Sequence, residues 1–246
     1  MTNLEITKPR TVGEWVAADY RTASIFREFG IDFCCGGKRT LAEVCRQKGI
    51  DLAALEQALS EPKSGGETPA LPFNEWDLPF LIDYIVNVHH RYVLDKLPQI
   101  EQYADKVATV HGEAHPETRK IAGQWKAVSS ELTAHLQKEE RILFPYLKEL
   151  CRVRDDKEAA AVPPFQTAAN PIRVMEAEHD AAGELLHELR RLSDDFTPPD
   201  GACNTYRVLY ALLAEFEADL HQHVHLENNL LFPKALALEQ ELFRKP

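Results

Sequence analysis

The chain has 246 residues, enough for one or two domains with a sizeable buried core. Hydrophobic residues make up 44% of the chain and charged residues 27%, as is typical of a soluble globular protein. The net charge is −11, from 39 acidic and 28 basic residues. No Lys/Arg cluster stands out, so we expect neither nucleic acid nor an anionic membrane surface as a partner.

The sequence also lacks the features of an exported or membrane protein. No apolar run reaches the roughly 18 residues of a membrane-spanning helix. The N-terminal stretch MTNLEITKPR carries charges where a signal peptide needs its apolar segment. Five cysteines are an odd and sparse set for this length, which argues against a disulfide framework. We therefore predict a cytoplasmic protein.

The first 60 residues are predicted to form a small helical domain. They contain two Thr-x-x-Glu helix-start signals, Thr11–Glu14 and Thr40–Glu43, with the stretch DFCCGGK between them. Residues 1–60 are marginal in size for an independent domain. Residues 61–77 crowd proline, glycine and polar residues together, and we interpret them as an interdomain linker.

The paired cysteines of the first domain have two possible roles. Cys34 and Cys35 precede two glycines and a helix that is predicted to begin near Thr40. A helix N-terminus, with Lys38 and Arg39 nearby, is expected to lower the pKa of both thiols. The pair is then a redox or iron-relay site, or else a tight turn whose cysteines pack as small apolar residues. The remaining cysteines are predicted to be buried apolar residues: Cys45, Cys151 and Cys203.

Residues 78–246 are predicted to form an up-down-up-down four-helix bundle. Long segments with helical periodicity alternate with short breaks rich in proline, glycine and acidic residues. Short connections between long helices produce antiparallel neighbours. Each of two Leu-Phe-Pro motifs is expected to mark a helix that kinks or nears its end. The predicted helices span 78–109, 117–150, 171–196 and 203–238.

A repeated motif lies in the second and fourth of these helices. HLQKEERILFP begins at His135, and HVHLENNLLFP begins at His223. In both copies a glutamate follows the histidine by four residues, so imidazole and carboxylate share one helix face. An acidic residue also precedes each histidine by four residues, Glu131 and Asp219. These two are predicted to orient the imidazoles, or else to be ordinary exposed helix charges.

The first and third helices complete the repeat with one histidine each. His179 lies 44 residues before His223, and His90 lies 45 residues before His135. His89 is a rival to His90 that the repeat spacing disfavours by a single residue. Comparable offsets in an up-down bundle bring all six side chains to one level of its core: His90, His135, Glu139, His179, His223 and Glu227.

Two metal ions explain why such a cluster is buried. Two carboxylates and four imidazoles are expensive to bury without a cation. Each glutamate can bridge two ions while the imidazoles fill terminal positions, and nitrogen and carboxylate donors suit iron or manganese better than zinc. The other histidines are expected to lie outside the cluster. His221 and His225 are predicted to point outward, and His111 and His115 to be solvated in a loop.

The second half of the chain resembles haemerythrin-like domains, which hold a non-haem di-iron centre in a four-helix bundle. The His-x-x-x-Glu spacing and the single histidine on each other helix carry this resemblance. Oxygen-carrying haemerythrins typically use five histidines, whereas this chain supplies four in matching positions. DFCCGGKRTL and MEAEHDAAGELL are similar to the repair-of-iron-centres family. The resemblance implies two irons at the six residues above, with His90 in place of His89, and a functional role for Cys34 and Cys35.

This family restores iron–sulfur clusters after nitrosative or oxidative damage. Membership implies a stress-induced cytoplasmic homodimer whose partners are damaged iron–sulfur proteins, with nitric oxide or dioxygen as a small ligand. The bundle would donate iron, reduce nitric oxide, or do both. A haemerythrin-type oxygen binder or sensor is the alternative, which the cysteine pair disfavours. A di-iron oxidase or nitric oxide reductase without a donor role remains open.

Overall fold

The computed structural model describes residues 10–60, 71–157 and 161–243. The regular structure within these ranges is helical, apart from one isolated antiparallel bridge between Thr11 and Thr40. The prediction of an all-α fold is therefore confirmed. None of the helices in these ranges has the length and hydropathy that a transmembrane segment needs.

Four short helices form the N-terminal unit: α1 (Val12–Ala18), α2 (Thr22–Glu28), α3 (Leu41–Lys48) and α4 (Leu52–Ser60). The predicted capping boxes begin α1 and α3. The Thr11 hydroxyl accepts a hydrogen bond from the Glu14 amide at 3.2 Å, and the Glu14 carboxylate accepts one from the Thr11 amide at 2.7 Å. Thr40 and Glu43 make the same exchange. Each box satisfies backbone donors that a helix start leaves unpaired, so the local sequence places these two starts.

Four longer helices, three of them interrupted by a π turn, form the bundle. The first comprises α5 (Leu78–Tyr84), the π turn Ile85–His90 and α6 (Arg91–His111). The second comprises α7 (Glu117–Lys138), the π turn Glu139–Leu143 and α8 (Phe144–Asp156). The third is α9 (Ala169–Leu192). The fourth comprises α10 (Asn204–Leu226), the π turn Glu227–Leu231 and α11 (Phe232–Phe243).

The two Leu-Phe-Pro motifs interrupt their helices without ending them. The chain stays helical beyond each motif, to Asp156 and to Phe243. A five-residue π turn precedes each Phe-Pro pair and begins at the glutamate of the repeated motif. Pro145 therefore falls in the first turn of α8, where its missing amide hydrogen has little cost. Single π turns within α-helices are frequent at functional sites.

Two apolar clusters fill the bundle, and a polar layer separates them. One cluster contains apolar residues of the N-terminal unit and of one end of each bundle helix. These ends run from Val93 onward in the first helix, up to Leu136 in the second, from Ala182 onward in the third and up to Val224 in the fourth. The other contains the opposite ends of the same helices, including Leu81, Leu143, Met175 and Leu231. Each bundle helix therefore passes from one cluster to the other at the level where the repeated histidines and glutamates lie.

The N-terminal unit packs against the fourth bundle helix. The ring of Phe33 lies 6.1 Å from that of His221 and 5.9 Å from that of His225, and the ring of Tyr20 lies 6.0 Å from that of His225. His225 is buried and His221 half-buried. The prediction that both point outward is wrong for His225, because the N-terminal unit covers the helix face that would otherwise meet solvent.

Most of the predicted linker 61–77 cannot be compared with the structure, since residues 61–70 lie outside the described ranges. Its last part forms a short 3-10 turn, Phe73–Glu75. The buried ring of Phe73 contacts Tyr20 of the N-terminal unit and Trp76 just before α5, with ring centroids 6.3 and 4.9 Å apart. The residues that lead into the bundle therefore pack against both parts of the chain.

Candidate metal centre

The polar layer of the bundle contains six side chains that are each 0–3% exposed: His90, His135, Glu139, His179, His223 and Glu227. Every one of the four bundle helices contributes to this layer. Two members, Glu139 and Glu227, are the first residues of π turns, and His90 is the last residue of another. The structure thus brings together the six side chains that the repeat spacing singled out.

The six side chains form two overlapping groups that share both glutamates. His90 and His223 belong to one group, and His135 and His179 to the other. Within each group the potential ligand atoms all lie within 4.8 Å of one another. The twofold repeat of the sequence is therefore reproduced as two adjacent sites with common carboxylates.

Each glutamate faces both groups of histidines. One oxygen of Glu139, Oε2, lies 3.4 Å from Nε2 of His90 and 3.4 Å from Nε2 of His135. The two oxygens of Glu227 divide between the groups. Oε1 lies 3.0 Å from Nε2 of His223, and Oε2 lies 3.1 Å from Nε2 of His179. Such an arrangement suits carboxylates that bridge two ions.

Unsatisfied polar atoms show that these residues fit a cation. Both carboxylate oxygens of Glu139 are buried without a hydrogen-bond partner, as are Nε2 of His90 and Oε2 of Glu227. Nε2 of His135 also lies only 3.0 Å from Nε2 of His179, so at most one of these two nitrogens can carry a hydrogen toward the other. Buried polar atoms without partners are costly, and metal coordination would satisfy all of them at once.

The pKa values of the layer reflect the same crowding of buried charge. Burial raises the pKa of Glu139, and the charge of Glu227 raises it further. Burial acts to lower the pKa of His90, but Glu139 and Glu227 outweigh it and raise that pKa to about 10. For His179 burial is likewise outweighed, here chiefly by Glu227, and its pKa rises to about 9. A dication in the layer would replace these protons as the partner of the carboxylates.

Three of the imidazoles are held from behind by polar side chains. Nδ1 of His90 lies 2.8 Å from the Glu140 carboxylate, and Nδ1 of His135 lies 2.9 Å from that of Glu178. Nδ1 of His179 lies 2.9 Å from Oδ1 of Asn228. A hydrogen bond at Nδ1 directs Nε2 of each ring into the layer, as is usual for metal-binding histidines.

Glu131 and Asp219 are predicted either to give such support or to be ordinary exposed helix charges. Glu131 is exposed, and Asp219 binds Nδ1 of His89 at 3.0 Å. Four residues along a helix is one turn, about 6 Å, so both lie a turn away from the layer. The observed supports, Glu140, Glu178 and Asn228, each adjoin one of the six residues in sequence and reach an imidazole on another helix. That adjacency is the signal that could have identified them.

His89 lies beside the layer instead of facing solvent. It is buried, and its ring stacks on that of His223 with centroids 5.6 Å apart. Its Nδ1 is held by Asp219, and its Nε2 has no partner. Neither group of potential ligands includes it, whereas His90 belongs to one of them. The geometry therefore favours His90, in agreement with the repeat spacing.

Comparison with known proteins identifies the family. A family model described as the hemerythrin HHE cation binding domain matches residues 81–235, more than half of the chain. A second model, ScdA_N, described as a domain of unknown function, matches residues 8–63. The iron–sulfur cluster repair protein YtfE of Musicola paradisiaca (strain Ech703) is 40% identical over 233 residues, covering 93% of this chain and 97% of that protein. The chain belongs to the haemerythrin-like YtfE family.

Other members of the YtfE family are similar over the same length. The protein of this name from Yersinia pestis (strain Pestoides F) is 40% identical over 231 residues, 92% of this chain and 96% of that protein. The one from Yersinia pseudotuberculosis (serotype O:1b, strain IP 31758) is 39% identical with the same coverage. The cation-binding description of the matched bundle agrees with the buried histidine and glutamate groups found there.

In this YtfE-family chain, the cysteine pair lies in a loop that one carboxylate organises. Asp32 accepts hydrogen bonds from the amides of Cys34, Cys35 and Gly36, at 2.9, 3.0 and 2.8 Å. Its Oδ1 also lies 3.1 Å from the Cys34 thiol. Asp32, Cys34 and Cys35 form a third group whose potential ligand atoms lie within 4.8 Å of one another. Cys34 is 7% exposed, and Cys35 is half-buried.

The prediction of a lowered thiol pKa is wrong for Cys34. A hydrogen bond with Cys35 and burial both raise the pKa of Cys34 well above its usual value. The two nearby cations have other partners. Lys38 binds the Glu176 carboxylate at 2.6 Å, and Arg39 binds the Gln47 side chain at 2.5 Å. The raised pKa favours the protonated form of Cys34 at neutral pH.

A cleft of about 830 Å³ lies between the N-terminal unit and the third and fourth bundle helices. Its lining includes the cysteine pair on one side and residues of the bundle on the other, among them one member of the polar layer. The cleft therefore adjoins both the cysteine pair and the polar layer. The lining residues that matter here are Asp32, Cys34, Cys35, His179 and His221.

The other three cysteines, together with His111 and His115, are not part of the lining of this cleft. Cys45 and Cys151 are buried, as predicted, but Cys203 is exposed, because it precedes α10 at the end of the bundle. Its sulfur lies 3.2 Å from Nε2 of His111. His111 and His115 are half-buried instead of fully solvated, since both rings pack against Tyr206.

Proposed function

We propose that this protein repairs iron–sulfur clusters damaged by nitrosative or oxidative stress, and that it does so as an iron donor with a di-iron centre. The observation that carries the proposal is the pair of buried sites that share Glu139 and Glu227. The names of the relatives as iron–sulfur cluster repair proteins support it. Its partners are then damaged iron–sulfur proteins. Homodimer formation and a cytoplasmic location remain predictions.

The donor set fits iron. The two carboxylates and four imidazoles provide only oxygen and nitrogen, and no thiolate lies in either group. Such donors suit iron or manganese, while structural zinc sites prefer four closed ligands and often cysteine. In this proposal His90 and His223 would hold one iron and His135 and His179 the other, with both glutamates available to either ion. Bound iron would supply a redox-active centre, and the same iron would be donated to damaged clusters.

The residues behind the imidazoles adjust how tightly iron is held. Glu140 and Glu178 offer carboxylate acceptors to Nδ1 of His90 and His135, whereas Asn228 offers His179 a neutral acceptor. The Glu178 carboxylate also binds Lys138. Two histidines therefore have a carboxylate acceptor behind them and a third has an amide. We propose that this difference makes iron easier to release at His179 than at the other two.

The cysteine pair is proposed to receive iron from the centre. Cys34 and Cys35 line the same cleft as His179, so a metal ion leaving the bundle enters a space that contains thiols. Iron–sulfur clusters are themselves bound through thiolates, and a thiol site is a natural intermediate between histidine ligands and a cluster. Metal binding displaces the proton of Cys34, because the metal ligand is the thiolate. In this scheme residues 1–60 form the transfer domain, 61–77 a linker and 78–246 the storage domain.

Nitric oxide or dioxygen chemistry at the same centre is a second candidate. Aromatic rings flank the layer: Phe144 stacks on His90 at 5.6 Å, and Phe232 stacks on His179 at 6.2 Å. Apolar walls of this kind favour a small uncharged ligand over a charged one. A purely oxygen-binding role is less well supported, because it gives no purpose to the cysteines in the cleft.

Replacing Cys34 and Cys35 with serine should separate storage from repair. The double variant is expected to keep the iron content of the wild type, because neither sulfur belongs to the polar layer. It is expected to lose most of its ability to reactivate a damaged iron–sulfur enzyme. Iron analysis and a reactivation assay on the same preparation measure both properties, beside a nitrous oxide assay. Cys203→Ser is the matched control, since this exposed cysteine lies outside the cleft.

Unchanged reactivation by the double variant would refute the role of the cysteines. Loss of reactivation with full nitrous oxide production would favour iron donation over nitric oxide reduction as the repair step. If reactivation instead rises and falls together with nitrous oxide production, nitric oxide reduction replaces iron donation as the proposed repair step.

A further inference from the structure

One side chain contacts both the polar layer and the loop that contains Cys34 and Cys35. Asn228 follows Glu227 in the π turn of the fourth bundle helix and is 6% exposed. Its Oδ1 accepts a hydrogen bond from Nδ1 of His179 at 2.9 Å, and its Nδ2 donates a long one to the Cys34 carbonyl at 3.5 Å. Glu227 therefore belongs to the polar layer, and the next residue, Asn228, lies between this layer and the cysteine loop.

The next residue holds the same loop without contacting the layer. Nδ2 of Asn229 donates to the carbonyls of Phe33 and Cys34, both at 3.2 Å. Its side chain fits against two glycines of the N-terminal unit. A Cβ atom added to Gly13 would lie 2.3 Å from Oδ1 of Asn229, and one added to Gly37 would lie 2.6 Å away. Asn229 thus anchors the loop, while Asn228 connects it to His179 of the polar layer.

Metal coordination would fix the position of the His179 ring, and the ring in turn positions the Asn228 amide. An imidazole that coordinates metal through Nε2 retains its hydrogen on Nδ1 and donates it. Asn228 can accept that hydrogen only through its oxygen, and its NH₂ group then faces the Cys34 carbonyl, which needs a donor. A ring fixed by metal therefore fixes the amide, and the amide contributes to holding the loop.

We propose that Asn228 is a positioning residue that couples metal binding at His179 to closure of the Cys34–Cys35 loop. The coupling rests on the proposed function, in which His179 is an iron ligand. With iron bound, the loop is held down and the thiols are protected. When iron leaves, the His179 ring loses its coordination bond and is held by hydrogen bonds alone, so the Asn228 amide is positioned less firmly and the thiols become accessible at the time when iron enters the cleft.

Thiol alkylation tests this coupling directly. The full chain in a Cys203→Ala background, which removes the exposed cysteine, is treated anaerobically with N-ethylmaleimide. The alkylation rate of Cys34 and Cys35 is followed by peptide mass spectrometry with and without two equivalents of Fe²⁺. We expect the iron-free wild type to react at least about fivefold faster than the iron-loaded protein, the lower end of usual coupling between two sites.

Two matched variants separate the coupling from simple anchoring. Asn228→Asp keeps an acceptor for His179 but places a carboxylate oxygen against the Cys34 carbonyl. It is expected to retain iron while the ratio of the two alkylation rates falls to about one, because the link to the loop is lost. Asn229→Ala removes the hydrogen bonds from Asn229 to the loop but keeps the contacts of Asn228 with His179 and Cys34. Its alkylation is expected to be faster in both states, with the wild-type ratio preserved.

Two results would overturn the coupling while leaving the proposed function intact. One is a wild-type protein that binds iron yet shows equal alkylation rates with and without it. The other is an Asn228→Asp variant that binds iron and keeps the wild-type ratio, because the iron would then protect the thiols directly or through other contacts. A wild-type chain that takes up no iron would instead refute the proposed function, and the coupling with it.

Discussion

Glu139→Leu and Glu227→Leu should each lose most of the bound iron, and they should differ in the stability of the iron-free protein. Either carboxylate contacts both groups of histidines, so its removal affects both metal positions. Glu139 has no hydrogen bond at either oxygen, and burial raises its pKa. Its loss is therefore expected to leave the iron-free protein as stable as before or more stable.

Glu227 is expected to behave in the opposite way without iron. It lies 3.0 Å from His223 and 3.1 Å from His179. Burial acts to raise the pKa of Glu227, but His223 and the other imidazoles outweigh it and hold that pKa well below its usual value. Its charge partner at neutral pH is His179, whose pKa is raised to about 9, whereas burial lowers the pKa of His223 to about 3 and leaves that ring neutral. Removing one partner of a buried charge pair costs about 3–5 kcal/mol, and Glu227→Leu should lower the free energy of unfolding by that order.

Iron titration and denaturant unfolding of the iron-free proteins measure the two effects. His90→Ala and His179→Ala should retain more iron than either glutamate variant, because each imidazole serves one group only. Glu131→Leu is the control, as an exposed glutamate on the same helix as Glu139. Full iron occupancy in either glutamate variant would show that the carboxylates do not bridge.

Gly37→Ala should detach the cysteine loop from the bundle. A Cβ atom at Gly37 would lie 2.6 Å from the Phe33 carbonyl and 2.6 Å from Oδ1 of Asn229. Both contacts are far shorter than real Cβ atoms make, so either the loop or the asparagine must move. Overpacking of this kind costs about 1–3 kcal/mol. We expect a lower free energy of unfolding and faster alkylation of Cys34, with iron content unchanged.

Gly123→Ala is the matched control for this effect. A Cβ atom at Gly123 would meet nothing within 4 Å, and the residue lies inside α7. Alanine is favoured over glycine within a helix, so the control should gain up to about 1 kcal/mol of stability. A Gly37→Ala protein with wild-type stability and wild-type thiol reactivity would contradict the tight packing of Asn229 against the loop.

The parts of this structure that the sequence predicted depend on local periodicity. Helical periodicity and marked breaks predicted the four bundle helices, whose observed ends lie within a few residues of the expected ones in most cases. The repeat of His-x-x-x-Glu at equal offsets predicted that six side chains share one level of the bundle, because each helix converts sequence spacing into height. The capping boxes at Thr11 and Thr40 predicted helix starts for the same local reason.

The features that were missed depend on how separate segments pack together. His225 is buried only because the N-terminal unit covers it, and no periodicity within α10 reveals that cover. The pKa of Cys34 is raised by Cys35 and by burial, which the neighbouring lysine and arginine in the sequence could not indicate. Asn228 acquires its role from contacts with two other parts of the chain, at His179 and at Cys34.

The most direct test of the central claim is the amount and state of iron in the wild-type protein. The full chain is loaded anaerobically with Fe²⁺, freed of excess metal and examined by metal analysis together with optical and Mössbauer spectroscopy. Two buried sites that share two carboxylates predict about two irons per chain with the signature of a coupled pair. One tightly bound zinc per chain, with no iron taken up after loading, would contradict the di-iron centre.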